Sequence, residues 1–147
     1  MASTSTYLTF NGNCEEAFNF YRSVFGGEFL YFGKFDEMVS QPGAHIPEKD
    51  RNLVMHVSLP IGDSVLMGSD CGEGFAPLFK AGNNFSISIR AESKEEADRV
   101  FSALARGGEI TLPLNETFWG DYFGMLTDQF GINWMMSFNP RLQEDLP

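Results

Sequence analysis

Apolar and polar residues alternate from Thr6 to Phe10, and then the period changes. From Cys14 to Phe25 the apolar positions are Ala17, Tyr21 and Val24/Phe25, while Glu15, Glu16 and Arg22 fall elsewhere. That spacing predicts an amphipathic helix with one buried stripe. Gly26-Gly27 ends it, because glycine accepts the backbone that closes a helix. Three strand-like runs follow, at Glu28 to Gly33, Leu53 to Leu59 and Ser64 to Ser69; Pro60-Ile61-Gly62-Asp63 turns the second into the third.

The pattern then recurs. Phe85 to Arg90 alternates, and Lys94 to Arg106 offers Ala97, Phe101 and Leu104 as a helical stripe. Glu95, Glu96 and Asp98 suit the N-terminus of that helix and Arg106 its C-terminus. Gly107-Gly108 stops it. Runs at Glu109 to Leu112, Tyr122 to Thr127 and Ile132 to Phe138 follow, with Asp128-Gln129-Phe130-Gly131 as the last turn. The Glu-Glu-Ala triplets at Glu15 and Glu95 stand 80 residues apart, and the Gly-Gly-Glu triplets at Gly26 and Gly107 stand 81 apart. Two triplets in near register, each behind a strand and within a matching helix, indicate an internal duplication of a βαβββ unit. The first unit covers about 6–71 and the second about 85–139, with a connector at about 72–84 and a tail at 140–147 that reads as a loosely held extension. Residues Lys34 to Asn52 form a long polar loop with Pro42, Gly43 and Pro47, of a length often found in lids.

Composition narrows the function. The 147 residues suffice for one ordinary domain, or for two small half-units. Fifteen phenylalanines predict an aromatic core with rings to spare for a binding surface. A net charge of -10 argues against nucleic acid and anionic membrane as partners, since both call for basic surface. Only two cysteines, Cys14 and Cys71, are present, so both are read as free thiols in a cytoplasmic protein. Neither a signal peptide nor a run of 18 apolar residues is visible.

A doubled βαβββ unit resembles the vicinal oxygen chelate fold of glyoxalase I, bleomycin-resistance proteins and extradiol dioxygenases. Local signatures point further. Phe10-Asn11-Gly12-Asn13-Cys14-Glu15-Glu16-Ala17, Phe20-Tyr21, Val24-Phe25-Gly26-Gly27-Glu28, Leu66-Met67-Gly68-Ser69-Asp70, Thr117-Phe118-Trp119-Gly120 and Asp128-Gln129-Phe130-Gly131-Ile132-Asn133-Trp134-Met135 are similar to the PhnB-like subgroup. The resemblance covers about Tyr7 to Asn139. It implies an α+β fold in which two βαβββ units form a clam-like mixed sheet around a cleft, and it implies a homodimer. Some members of the group carry a methyltransferase label, yet no glycine-rich loop of the kind nucleotide-like cofactors use is visible here. No cofactor is expected.

The resemblance also places the metal positions of the superfamily. They fall at Thr6 and Ser86 on the opening strands and near Met67 and at Met135 on the closing strands. Zinc, iron or manganese would want imidazole and carboxylate there, so no metal is expected at these positions.

Other residues carry two readings each. Alternation puts Val54, His56 and Ser58 on one face of their strand. His56 is then either a hydrogen-bonded wall of the cleft or a general base near neutral pH. His45, in the long loop, reads as solvated. Ile87 and Ile89 should face the helix, leaving Ser86, Ser88 and Arg90 toward the cleft; by equivalence Leu8 and Phe10 take those positions in the first unit. Arg90 either clamps a carboxylate or phosphate of a ligand or pairs with Asp70 or Glu92. Trp119 either stacks on a ligand or plugs an interface. Met67 and Met135 read as adaptable packing. Asp70 is a turn former or an acid at the cleft mouth. Cys71 sits among acids that raise a thiol pKa, which argues against a nucleophile.

The reading that follows is a metal-free binder of a small, partly apolar molecule, with Leu8, Phe10, Met67, Ser86, Ser88, Arg90, Trp119 and Met135 as its ligand-binding residues and His56 as the catalytic candidate of the alternative. The alternatives are a small-molecule enzyme (a lyase, isomerase or dioxygenase-like catalyst) using His56, or a structural or regulatory homodimer whose cleft is filled by its own side chains.

Overall fold

The computed structural model describes residues 1–73 and 76–141. The tail read as an extension therefore lies outside the described residues beyond Arg141, and the connector is described apart from 74–75. The element order is β1 (Thr6–Phe10), α1 (Cys14–Phe25), β2 (Tyr31–Lys34), β3 (Val54–Ile61), β4 (Ser64–Asp70), β5 (Ile87–Arg90), α2 (Lys94–Leu104), β6 (Glu109–Glu116), β7 (Tyr122–Thr127) and β8 (Asn133–Phe138). This is βαβββ written twice. The class is α+β, with two four-stranded sheets ordered β1-β4-β3-β2 and β5-β8-β7-β6. Each sheet is mixed, because β1 pairs with β4 and β5 with β8 in parallel while the other neighbours are antiparallel. The division between the units falls after Lys80.

In the first unit α1 packs on one face of its sheet. Ala17, Phe18 and Tyr21 are fully buried there. Phe18 meets Phe10 edge-on at 6.2 Å and Tyr21 at 5.5 Å. A row of paired residues, Leu8 on β1, Gly68 on β4 and Val57 on β3, runs beneath the helix. Gly68 is required there, since a Cβ would stand 2.6 Å from the Phe18 ring and 2.9 Å from the Leu8 carbonyl oxygen. Each buried aliphatic or aromatic side chain contributes roughly 1.5–3 kcal/mol.

The N-terminus of α1 is closed in an unexpected way. Asn13 stands at the N-cap but makes no side-chain cap bond. Asp70, 4% exposed, supplies the acceptor instead. Its Oδ1 accepts from the N–H of Gly12 at 2.9 Å and of Cys14 at 3.0 Å, and its Oδ2 accepts from the N–H of Val54 at 2.9 Å. One carboxylate thus ties the end of β4 to the start of α1 and of β3, a long-range role that is neither the local turn former nor the acid at the cleft mouth expected of Asp70.

In the second unit Trp134, Met136 and Leu126 are 1% exposed and face α2 with Val100, Phe101 and Leu104. Ser93 caps α2 by accepting from the N–H of Glu96 at 3.0 Å, and the Glu96 carboxylate accepts in turn from the N–H of Glu92 at 3.0 Å. Asp128 does for the last turn what Asp70 does for the first unit. It accepts from the N–H of Phe130 and Ile132 and from the Trp134 indole at 2.8 Å.

Most strand boundaries differ by a residue or two from the sequence pattern, and two differ by more. β2 begins at Tyr31 rather than Glu28, because Gly26 and Gly27 both take positive φ and delay the return of the chain. β6 runs on to Glu116 through Pro113, which an edge strand tolerates, and its pairing with β7 shifts register twice. The long loop after β2 holds two short 3-10 turns, Phe35–Met38 and Glu48–Asp50. Asp50 is buried and accepts from the Glu73 N–H at 2.8 Å, so the loop is pinned at its far end.

Candidate functional site

In each unit the sheet face turned away from the helix carries most of the candidate side chains. In the first unit a single row crosses all four strands: Tyr31 on β2, Ser58 on β3, Met67 on β4 and Tyr7 on β1. His56 lies two residues from Ser58 on the same face. Its ring stacks on Tyr7 with centroids 5.6 Å apart and planes at 28°, and tilts against Tyr31 at 5.8 Å. Its Nδ1 lies 3.3 Å from the Tyr7 hydroxyl and its Nε2 lies 3.0 Å from Ser58 Oγ. Both ring nitrogens are therefore engaged by hydroxyl groups, one as donor and one as acceptor in the neutral ring. Tyr7 and Tyr31 are 46% and 43% exposed, while Ser58 beneath them is buried. The result is an aromatic ledge of two phenols and an imidazole across the sheet.

Tyr31 is held from a second side. Its hydroxyl donates to Glu37 Oε2 at 3.0 Å, in the turn that follows β2. This bond passes over Gly33, where a Cβ would meet the Tyr31 oxygen at 2.5 Å and the Glu37 oxygen at 2.8 Å. Glu37 raises the Tyr31 phenol above its ordinary pKa, through that hydrogen bond first.

The structure corrects the placement of two expected site residues. Leu8 and Phe10 are each 3% exposed and lie on the α1 side of the sheet, not on the open face. The residues of β1 on the open side are Tyr7 and Thr9. The reason is a one-residue difference between the repeats: Phe10 and Ala91 are the last core residues before each helix, but α1 starts four residues after Phe10 and α2 only three after Ala91. In a strand a shift of one inverts every side chain. Val54 is also fully buried rather than sharing the face of His56. Met67 stands in the open row, as expected from its strand.

In the second unit two parallel rows lie on the face away from α2. One is Ser88, Met135, Met125 and Leu112; the other is Arg90, Ser137, Phe123 and Asn115, each read from β5 to β6. Ser86 precedes β5 and is half-buried. Arg90 is exposed, and among the described residues it pairs with neither Asp70 nor Glu92. Trp119, 53% exposed, lies 6.2 Å from the Phe123 ring and donates its indole N–H to Asp121 at 2.9 Å. Phe118, 98% exposed, packs edge-on against Trp119.

His45 is exposed in the loop. Burial pushes the Cys14 thiol far up, and the Asp70 and Glu15 carboxylates add to it. Cys71 is likewise raised, by burial first. Neither is an available thiolate at neutral pH.

The metal positions can be tested on the register. Met67 pairs with Tyr7 and Met135 with Ser88, so the opening-strand neighbours are Tyr7 and Ser88 rather than Thr6 and Ser86. Neither the phenol and thioether of the first unit nor the hydroxyl and thioether of the second make donors that zinc, iron or manganese would select. Among the described residues no group of three or more His, Cys, Asp or Glu is placed to hold an ion.

The doubled βαβββ architecture is that of the glyoxalase, bleomycin-resistance and dioxygenase superfamily, with whose solved members the likeness is one of fold. The chain belongs to the PhnB-like family, whose model, described as 3-demethylubiquinone-9 3-methyltransferase, matches residues 2–137. It is 34% identical over 143 residues to protein YjdN of Escherichia coli, covering 90% of this chain and 92% of that one. Protein PA1353 of Pseudomonas aeruginosa is 37% identical with a TM-score of 0.78, covering 95% of this chain and 98% of that one. A PhnB protein of Bacillus cereus is 30% identical with a TM-score of 0.73, covering 93% and 99% respectively. No helix among the described residues is long and apolar enough to cross a membrane.

Proposed function

We propose that this chain is a metal-free binder of a small, partly apolar molecule, held on the open face of its first sheet against Tyr7, His56, Tyr31 and Met67. One observation carries the reading: an imidazole fixed between two half-exposed phenol rings with both of its nitrogens engaged by hydroxyls. Rings held in this way have already lost rotamer freedom, so a planar ligand stacks on the exposed faces of the two phenols at little further entropic cost. Met67 supplies an adaptable floor. The phenols also offer hydrogen bonds at the rim, which suits a molecule with a polar edge.

The methyl transfer named in the family model's description has no support in these residues. A nucleotide-like methyl donor would use free backbone N–H groups at a strand-to-helix turn. In the first turn of α1 the N–H of Cys14 is taken by Asp70, and in that of α2 the N–H of Glu96 is taken by Ser93.

A second reading makes His56 an acid–base catalyst. Its support is the chain Ser58–His56–Tyr7, in which a proton leaving one nitrogen has a hydroxyl in reach of the other and an exposed phenol at the end. An activity unchanged in His56→Ala would remove this reading. A homodimer is supported by the exposed apolar residues Ile110 and Leu112 on edge strand β6.

The test is a titration of EDTA-treated protein with 2-naphthol, followed by the His56 ring signals in NMR. Binding is expected to shift those signals saturably, and Tyr7→Ala and Tyr31→Ala are each expected to weaken it about tenfold, or ~1.4 kcal/mol. Equal affinity in wild type and both variants would overturn the site.

A further inference from the structure

The turn between β1 and α1 holds a covalent weak point. Of the asparagines in the chain, Asn11 alone precedes a glycine. In that dipeptide no side chain hinders the second nitrogen, and the backbone bends freely toward the carboxamide ahead of it. The glycine is there by necessity, since Gly12 takes a φ of +104°, which residues with a side chain rarely adopt. Asn11 is exposed, so water and hydroxide reach it and burial gives it no protection.

Both reacting groups are nevertheless tied to the end of β4. The Gly12 N–H donates to Asp70 Oδ1 at 2.9 Å, and Asn11 Oδ1 accepts from Cys71 Sγ at 3.4 Å. The tether is itself fixed: Asp70 also accepts from the N–H of Cys14 and of Val54, and the Cys71 N–H donates to the Phe10 carbonyl at 2.8 Å. For the Gly12 nitrogen to attack the side chain of Asn11 it must first lose its proton. The anion so formed would face a carboxylate across 2.9 Å, and like charge disfavours it.

We infer that Asn11 is a self-modification site, deamidated through a succinimide, which the end of β4 holds closed in the folded chain and which opens when the first turn of α1 leaves Asp70. Hydroxide takes the proton of the Gly12 nitrogen, which bonds to Asn11 Cγ. The Cγ–Nδ2 bond breaks, and Nδ2 leaves as ammonia with a proton from water, which restores the hydroxide. A second water opens the ring at either carbonyl, giving aspartate or isoaspartate with no oxidation or reduction. Isoaspartate adds a methylene to the main chain between Phe10 and Gly12. Both of those residues are bonded to the end of β4, so the longer path no longer fits. A chain that has opened here is therefore marked, whatever its sheets bind.

The experiment incubates the full chain in mildly alkaline buffer at rising urea. Peptide mass spectrometry, with fragmentation that separates aspartate from isoaspartate, follows Asn11, and hydrogen exchange follows the Gly12 amide. Base-catalysed exchange and succinimide formation both need the Gly12 nitrogen to lose its proton, so below the unfolding transition the two rates are expected to rise in constant ratio. Deamidation is expected to be slower in the folded chain than in the unfolded chain by about tenfold or more. Asp70→Asn removes the charge and is expected to speed it about tenfold while the Val57 amide stays protected. Where Val57 loses its protection in that variant, the wild-type ratio decides. Asn11→Gln is expected to abolish the product. Asn11 converting as fast when folded as in urea would overturn the inference. So would an unchanged rate in Asp70→Asn with Val57 protected, or free exchange at Gly12 in a folded chain whose Asn11 stays intact.

Discussion

Removing the Asp70 carboxylate should cost this protein much of its stability, whereas removing the residue at the N-cap should cost almost nothing. Asp70 accepts three backbone N–H groups, of which those of Cys14 and Val54 are buried and that of Gly12 is partly exposed. In Asp70→Ala the two buried donors lose a charged acceptor, at roughly 1.5–3 kcal/mol each, while water recovers most of the third. Loss of the negative charge at the start of α1 adds about 0.5 kcal/mol. The expected penalty is about 5 kcal/mol, comparable with the whole stability of many domains. At roughly 2–4 °C per kcal/mol the melting temperature should fall by about 15 °C. Asn13→Ala removes a side chain that makes no cap bond and should cost under ~0.5 kcal/mol. Urea unfolding of the two variants measures the difference, and amide hydrogen exchange at Cys14 and Val54 locates it. A penalty for Asn13→Ala equal to that for Asp70→Ala, or a loss under ~1 kcal/mol in Asp70→Ala, would refute the assignment of the cap.

Further outcomes follow from other contacts. Gly33→Ala places a methyl group against the Tyr31 hydroxyl and Glu37, so it should release Tyr31 and weaken 2-naphthol binding with a stability loss of about 1–3 kcal/mol, measured by titration and by denaturant midpoint. Tyr122 donates to Asp98 at 2.5 Å, and that bond pushes its pKa up to about 12. A phenol raised in the folded state stabilises fully below its unfolded pKa near 10 and loses that contribution as pH rises through about 12. Tyr122→Phe should therefore flatten the stability profile across that window, and phenolate absorbance should lose a component titrating near about 12. If β6 is the interface between two copies, Leu112→Glu should convert a particle of twice the chain mass into a monomer in native mass spectrometry, and an unchanged mass would exclude that strand.

The helices and the order of elements along the chain were legible because each rests on local pattern. The stripe of Ala17, Tyr21 and Val24, and that of Ala97, Phe101 and Leu104, are each periodic over about two turns, and paired glycines follow both helices. The face of β1 was legible too, in Tyr7-Leu8-Thr9-Phe10 taken alone, where the apolar positions are the buried ones. Transferring the face of Ser88 and Arg90 to this strand through the repeat inverted it, because the repeats differ by one residue ahead of the helix. Tyr7 and Tyr31 were missed for the same reason and for a second. They lie far from His56 in sequence, and only the pairing of Tyr31 with Ser58, and of Ser58 with Met67, brings them to it. Gly33 was the available signal, since a glycine inside a short strand marks a close approach. The role of Asp70 depends on a parallel pairing across 60 residues of chain, between Phe10 and Asp70, which no local pattern encodes.

The most direct test of the account is where a small planar ligand binds when no metal is present. Protein treated with EDTA and checked by mass spectrometry for residual transition metal would be mapped with 2-naphthol by NMR. The account predicts saturable shifts at Tyr7, His56, Tyr31 and Met67 in metal-free protein, unchanged when zinc or manganese is added. Binding that appears only with added metal, or shifts confined to residues on the α1 side of the sheet, would contradict it.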